Sequence, residues 1–345
     1  MKERVDKLRA LLEEPLIVTA PANVRYLTGF VSSNCSLLVD QDKVQLFTDF
    51  RYAEAARQVP DVEFVQAPRE TIKHMADELT GRYGFESTNL TYFAYEQLRD
   101  GGLDLVPRVG LVEQLRIVKD ADELDRIRRA AAVTDAVYAA LAEEPFVGRT
   151  ERDVAWRMNE LFHEHGADAP AFESIVAAGP NGARPHAHPT DRVIEAGTTV
   201  VVDAGAMVDG YCADCTRTFA TGPLPAELQR AYDVCLEAQL RALDATKAGV
   251  DGPTADAAAR DVIAEAGFGE KFGHGLGHGV GIDVHEAPRL AQTSTDTLAE
   301  RNVVTIEPGI YLEGEGGIRI EDLVVVTDGG PEILSSYTKE LVTVG

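Results

Sequence analysis

Short apolar runs alternate with amphipathic stretches through the first third of the chain. The runs Leu16–Thr19, Ser36–Val39 and Val44–Thr48 predict strands, the last two joined by a tight turn through Asp40-Gln41-Asp42-Lys43. Arg51–Gln58 and Arg69–Leu79 space their apolar residues as helices do, with a strand over Val62–Val65 between them. Asp104–Val106, closed by Pro107, adds one more strand. Residues 1–117 therefore read as an α/β domain. Its isolated polar residues Arg25, Tyr26 and Asp49 read as surface or local hydrogen-bonding groups.

A boundary is expected near Leu115–Asp122, where Lys119-Asp120-Ala121-Asp122-Glu123 opens a long helix running through Leu141. Acids in its first turn suit the helix dipole, and Leu124, Ile127, Ala131, Val137 and Leu141 supply an apolar stripe. A second helix is expected over Thr150–His165, with Thr150 as N-cap and Asp153 at the capping-box position. From Phe172 the pattern changes to strands that carry acids. Thr198–Val202 is apolar and ends in Asp203. A strand over Tyr211–Phe219 sets Cys212, Asp214, Thr216 and Thr218 on one face by two-residue alternation. Helices over Ala226–Ala248 and Thr254–Ala266 follow. The last strands are Val303–Glu307, stopped by Pro308-Gly309, and Gly317–Val326, in which Arg319 and Glu321 share a face.

Between those helices and strands lies Phe272-Gly-His274-Gly-Leu-Gly-His278-Gly-Val-Gly-Ile-Asp-Val-His285-Glu286, with glycine at 273, 275, 277, 279 and 281. So much glycine argues against a helix, so the His274/His278 spacing is not that of a zinc helix, and the glutamate base of that motif is missing. No phosphate-binding register fits either. A glycine-lined strand or loop that brings backbone and imidazoles close to a buried site is what remains.

Composition narrows the partners. The 345 residues carry 57 acids against 33 bases, a net charge of -24, and only 8 of the bases are Lys against 25 Arg. Such a surface repels nucleic acid and anionic membranes, and its acidity with little lysine is consistent with a halophilic source, where salt screens self-repulsion. The charged, amphipathic start Met1–Leu12 has no apolar leader core, and no apolar run reaches the roughly 18 residues of a membrane span. Four scattered cysteines, at 35, 212, 215 and 235, give no disulfide framework, so a reducing cytoplasm is expected. Cys212-x-x-Cys215 lies in a strand with no second pair and reads as buried thiols. His163 and His165 read as solvent or capping residues. Ser32, Ser33 and Ser174 lack the context of a nucleophile.

The candidate chemistry is carboxylate-rich. Asp203, Asp214, Glu307 and Glu321 all fall inside apolar strands, where a charge is costly unless it is paired or binds metal, and too few bases accompany them. Four carboxylates and an imidazole suit two divalent ions, with Mn, Co, Fe or Zn all tolerable. These residues resemble the five metal ligands of the pita-bread metallopeptidases, the family of methionine aminopeptidase, aminopeptidase P and Xaa-Pro dipeptidase (prolidase). The resemblance rests on Asp203-Ala-Gly-Ala, Asp214-Cys-Thr-Arg-Thr218, Gly275-Leu-Gly-His278-Gly-Val-Gly, Thr305-Ile-Glu307-Pro-Gly309 and Ile318-Arg319-Ile-Glu321-Asp322. It extends to the N-terminal part and to the linker Val112–Leu124.

The resemblance implies an α/β N-terminal domain with a creatinase-like mixed sheet (1–117), then an α+β pita-bread catalytic domain (118–345). It implies Asp203, Asp214, His278, Glu307 and Glu321 as ligands of two metal ions. His186 would contact substrate, and His274 and His285 would steady the tetrahedral intermediate. Arg319 would stand behind the ligands, and Arg289 near the substrate; His188 carries over to nothing. The expected reaction is hydrolysis of the bond preceding proline in a small Xaa-Pro peptide by a metal-bridging hydroxide. Glu307 would shuttle the proton and His274 or His285 would donate to the oxyanion. The family is commonly dimeric, so a homodimer is expected. An amide hydrolase of ectoine-type solutes and an inactive binding module are the other readings of the same scaffold. The N-terminal domain disfavours methionine aminopeptidase, and the Arg289 match leans towards the dipeptidase over aminopeptidase P.

Overall fold

A computed structural model describes residues 2–345, which divide into two compact units, one ending at Arg116 and the other spanning Ile117–Gly345. In the first, six strands form a mixed sheet in the order Glu63–Gln66, Val44–Thr48, Cys35–Val39, Leu16–Val18, Arg82–Glu86, Asp104–Arg108. Parallel pairs join the outer strands and antiparallel pairs the middle ones. Ile17, Leu38 and Phe47 meet Met75 and Leu98 from the helices Thr71–Glu78 and Tyr92–Asp100 in one core. Arg82–Glu86 and the helices Pro21–Thr28 and Tyr92–Asp100 lack a clear sequence period and were not expected. The helix expected over Arg51–Gln58 shrinks to one turn, Ala53–Ala56. Asp49 is taken up locally, accepting from Arg51 and Asn34.

The second unit opens with the helix Ala121–Ala142, started by a full capping box between Asp120 and Glu123, and continues with Glu151–Glu164, capped the same way by Thr150 and Asp153. The expected apolar stripe of the first helix is buried, and its Tyr138 hydroxyl reaches the carbonyls of Val202 and Cys215 in two neighbouring strands. Two antiparallel sheets carry the acids. One has the order Cys215–Ala220, Thr199–Ala204, Ile175–Ala178; the other runs Glu286–Leu290, Gly277–Gly279, Val303–Ile306, Asp322–Val325, Glu332–Ile333. The helices Ala226–Ala245 and Gly252–Glu265 pack against the second set through a core that includes Cys235, Ala259, Leu276, Ile306 and Ile318.

Two long strands read from the alternation are interrupted. Tyr211–Phe219 is two pieces, Tyr211–Cys212 and Cys215–Ala220, which pair with Ala206–Val208 and Thr199–Ala204 in separate sheets. The hairpin is pinched at Gly205, whose missing side chain lets the carbonyl of Ala213 come so close that a β-carbon would collide with it. Gly317–Val326 likewise breaks into Gly316–Arg319 and Asp322–Val325. The second break is held by the buried Arg217 guanidinium, which donates to the Glu321 carbonyl and to Asp322 Oδ1 at 2.9 Å, with Gln239 and Lys339 completing the Asp322 carboxylate. The shared faces expected from alternation are therefore interrupted by irregular breaks, and Asp214 and Glu321 both sit in them.

Candidate active site

Asp203 stands near the end of the strand Thr199–Ala204, Asp214 in the pinch opposite, Glu307 just past Val303–Ile306, and Glu321 in the second break. One oxygen each of Asp203, Asp214 and Glu321 lies within 4.8 Å of the others. His278, in the short strand Gly277–Gly279, brings Nε2 to 3.3 Å from Glu307 Oε1 and 3.6 Å from Asp214 Oδ2. Its Nδ1 lies 3.0 Å from the Gly279 carbonyl, which can only accept, so Nδ1 carries the proton and Nε2 is the nitrogen turned to the carboxylates. Thr305 Oγ1 donates to Glu307 Oε1 and accepts from His278 N–H, tying the two together.

Three or four carboxylates this close and this buried are not balanced by the protein's own cations. Burial first, then the charges of neighbouring carboxylates, push Asp214 and Glu321 far above the usual carboxyl range. Burial also pushes Glu307 up, but the hydrogen bond and charge of His278, with His274 and Arg319, outweigh it and bring that carboxyl down to about 2. The His278 imidazole is raised correspondingly: its burial penalty is overcome by Glu307. Asp203 Oδ1 and Glu321 Oε1 are buried with no hydrogen-bond partner among the described residues. Unmatched carboxylate oxygens converging with an imidazole nitrogen, whose proton a bound cation would displace, are what divalent cations take as ligands, so the residues present fit the metal pair they were expected to bind.

Behind the carboxylates a polar chain fixes orientation. Arg319, 2 % exposed, donates from Nη2 to Asp203 Oδ2 at 2.6 Å, from Nε to Thr216 Oγ1 at 3.0 Å, and from Nη1 to the Pro185 carbonyl and to Tyr311 Oη at 2.9 Å. Thr216 in turn donates to Glu321 Oε2 at 2.7 Å, so Arg319 and Glu321 do meet the same group despite the strand break. Tyr311 accepts from Arg319 and has its own proton left for His274 Nε2, 2.9 Å away, while His274 Nδ1 donates to the Gly275 carbonyl. Burial holds the Tyr311 phenol up at about 12 and pushes His274 down, which keeps the phenol protonated and the imidazole neutral.

These residues face a cavity of about 630 Å³ whose wall also includes His186, His285 and Arg289. His285 and Arg289 are exposed on the cavity side, and the His285 ring lies 4.2 Å, centroid to centroid, from that of His278. Burial and the neighbouring His278 charge lower the His285 imidazole. His186 is exposed at the rim, and His188 is turned instead to Glu173. All the expected site residues thus converge on one cavity. The sequence did not point to Tyr311 or the pair Asp256–Arg260 behind the histidine stretch, and it placed Thr305 in a motif without a role for its hydroxyl. Tyr311 and Thr305 look like ordinary strand residues, and the only signal for the pair is an acid and a base four apart on an alanine-rich helix. Cys212 and Cys215 are buried, as expected, and so is Cys235; the Cys212 and Cys215 thiols face different carbonyls, those of Ile282 and Glu321.

The likeness to known proteins runs the length of the chain. Residues 4–118 match the Creatinase/Prolidase N-terminal domain and residues 125–328 match Metallopeptidase family M24. An Xaa-Pro dipeptidase of Pyrococcus furiosus is 36% identical over 355 residues, covering 99% of this chain and 100% of that protein. Among solved structures, an Xaa-Pro dipeptidase from Bacillus anthracis superposes with a TM-score of 0.95 at 37% identity, covering 99% of both chains. An X-Pro aminopeptidase from Thermotoga maritima superposes with a TM-score of 0.90 at 33% identity, covering 98% of this chain and 100% of that one.

Proposed function

The chain belongs to metallopeptidase family M24, and on that premise we propose that it hydrolyses the peptide bond preceding proline in short peptides, as an Xaa-Pro dipeptidase. The observation that carries the reading is the convergence of Asp203, Asp214, His278, Glu307 and Glu321, with two carboxylate oxygens left unmatched, at the foot of the cavity. These five side chains would hold two divalent metal ions, which when bound supply Lewis acidity and an activated water at neutral pH. Manganese is the ion we favour, since oxygen-rich donor sets suit it.

The rest of the work falls to the chain. Glu307, held ionised at the cavity wall, takes the proton from the attacking water and returns it to the departing proline nitrogen. Both ring nitrogens of His274 are engaged, so donation to the oxyanion falls to His285, which stands against His278 on the open side. Arg319 holds Asp203 and, through Thr216, Glu321 at fixed spacing. Proline has no N–H at the scissile bond, so recognition rests on ring packing and on the free carboxylate. Arg289 and His186 offer cationic and hydrogen-bonding groups for that carboxylate, which favours a dipeptide over a longer chain.

We assign residues 1–117 to the N-terminal domain and 118–345 to the catalytic domain of a homodimer working in a saline cytoplasm. The charge of -24 and the scattering of only four cysteines support that setting, and no helix among the described residues is long and apolar enough to cross a membrane. The ectoine-hydrolase and binding-module readings are set aside, because the relatives named above are peptidases and all five candidate ligands are present. The test is an assay of metal-stripped protein, reloaded with Mn²⁺, Co²⁺ or Zn²⁺ at high salt, on Ala-Pro and Ala-Pro-Ala. Metal-dependent cleavage of Ala-Pro alone is expected. Equal cleavage of Ala-Pro-Ala would make it an aminopeptidase, and inactivity on both would end the proline-specific reading.

A further inference from the structure

A glycine-rich segment has few side chains with which to hold itself in place, yet His274 sits in a defined geometry. The structure shows what holds it. On the helix Gly252–Glu265, the buried Asp256 and the half-buried Arg260 form a bidentate pair, with Nε to Oδ2 at 2.6 Å and Nη2 to Oδ1 at 2.9 Å. From this pair Arg260 Nη1 donates to the Phe272 carbonyl at 2.8 Å and Nη2 to the His274 carbonyl at 2.7 Å, while Asp256 Oδ1 accepts from Leu276 N–H at 3.0 Å. The guanidinium also lies 4.2 Å over the Phe272 ring, which stands nearly perpendicular to the His274 imidazole with centroids 5.0 Å apart.

Residues 272, 274 and 276 are alternate positions, and their backbone groups are those an extended segment would offer to a neighbouring strand. The ion pair supplies that strand's donors and acceptor in side-chain form, just before Gly277–Gly279 takes up true pairing with Glu286–Leu290 and Val303–Ile306. A β-carbon at Gly275 would press to 2.9 Å on Ala291 and the Leu290 carbonyl, so the segment has no room to anchor itself by its own side chains. His278 is held independently: its N–H is bonded to Thr305 and its strand is paired on both sides.

We infer that Asp256 and Arg260 are positioning residues for His274, setting where its imidazole meets Tyr311, without setting the metal-binding positions: His278 is held by its own strand, and Arg319 keeps Asp203 in place through its further bonds to Thr216 and the Pro185 carbonyl. The inference deepens the peptidase reading and rests on it. It predicts a split: Arg260→Lys, which keeps the charge but cannot fork to two carbonyls, lowers kcat by about 10- to 100-fold through misplacement alone. KM for Ala-Pro and the Mn²⁺ affinity of the metal-stripped protein, read by calorimetry, stay within about twofold, because the His278 strand is held by its own pairing. Asp256→Asn behaves similarly, and in a His274→Ala background Arg260→Lys causes no further loss.

Nitrogen-15 NMR of histidine-labelled protein reads the same device without activity. His274 shows the Nδ1–H tautomer in the wild type and a tautomer mixture in Arg260→Lys. Mn²⁺ affinity falling in step with kcat, an unchanged kcat, or additive loss in the His274→Ala background would each overturn the inference. Should the wild type cleave neither peptide, the peptidase reading fails, and the NMR comparison then decides the positioning claim alone. An unchanged His274 signal in a folded Arg260→Lys variant would sink it.

Discussion

At the scale of single residues the site is a chain of obligatory donors and acceptors, and Tyr311 is the point at which its direction is set. Arg319 can only donate and the Gly275 carbonyl can only accept, so the one phenolic proton must go to His274 Nε2. Replacing Tyr311 by Phe keeps the buried ring and removes the relay. His274 is then free to change tautomer, and Arg319 loses one of four acceptors inside the protein. We expect Tyr311→Phe to lower kcat by up to about 100-fold, the cost of misplacing groups that must stay aligned. Thermal unfolding should show a stability loss of ~1–2 kcal/mol from the donor left unsatisfied. The wild-type phenol, held up at about 12, contributes no limb to the pH–rate profile below that range. An undiminished kcat would show that His274 needs no partner there. The carboxylates were legible in the sequence because an acid in an apolar strand is an anomaly that demands a cause. Tyr311 was not, because a tyrosine in the strand Gly309–Leu312 looks like core until its hydroxyl is seen between two polar groups.

At the scale of elements, strands stop where the chemistry begins. Alternation along Tyr211–Phe219 and Gly317–Val326 gave the extent of each stretch but could not show its interruption. The interruptions depend on groups distant in sequence: Gly205 against Ala213 in one, Arg217 and Asp322 in the other. The capped helices were legible to within a residue or so because their signals are local, as Asp120–Glu123 and Thr150–Asp153 show. The pinch at Gly205 is the more direct lever on the site. A methyl group there must push back the Ala213 carbonyl, and with it Asp214 in the next position. Gly205→Ala should therefore destabilise the protein by ~1–3 kcal/mol, as overpacking does. It should also weaken Mn²⁺ binding by more than its loss of stability explains, measured by calorimetry beside thermal unfolding. Lost stability with unchanged metal affinity would mean that the hairpin relaxes elsewhere and leaves Asp214 in place.

At the scale of the whole molecule two kinds of negative charge are present, and pH and salt separate them. The excess of 57 acids over 33 bases is spread along the chain, and its repulsion between exposed groups fades in salt, since the screening length is only about 3 Å at 1 M. The cluster of Asp214, Glu321 and their neighbours is buried, so salt reaches it poorly. In the metal-free protein both carboxyls are raised by burial and by one another's surroundings. The folded state therefore binds more protons than the unfolded chain at every pH between the ordinary carboxyl range and the raised folded values. With more protons bound when folded, stability falls as pH rises through that window. Metal binding reverses the sign, because the ligands must be deprotonated and the bound ion then stabilises the fold more strongly as pH rises. In 1 M salt, the Tm of metal-stripped protein should rise by about 3 °C or more between pH 8 and pH 5.5. Over the same range the Tm of Mn²⁺-loaded protein should fall. If both forms moved together, the pH response would belong to the acidic surface, and the buried carboxylates would not be the unbalanced charges that make this cavity a metal site.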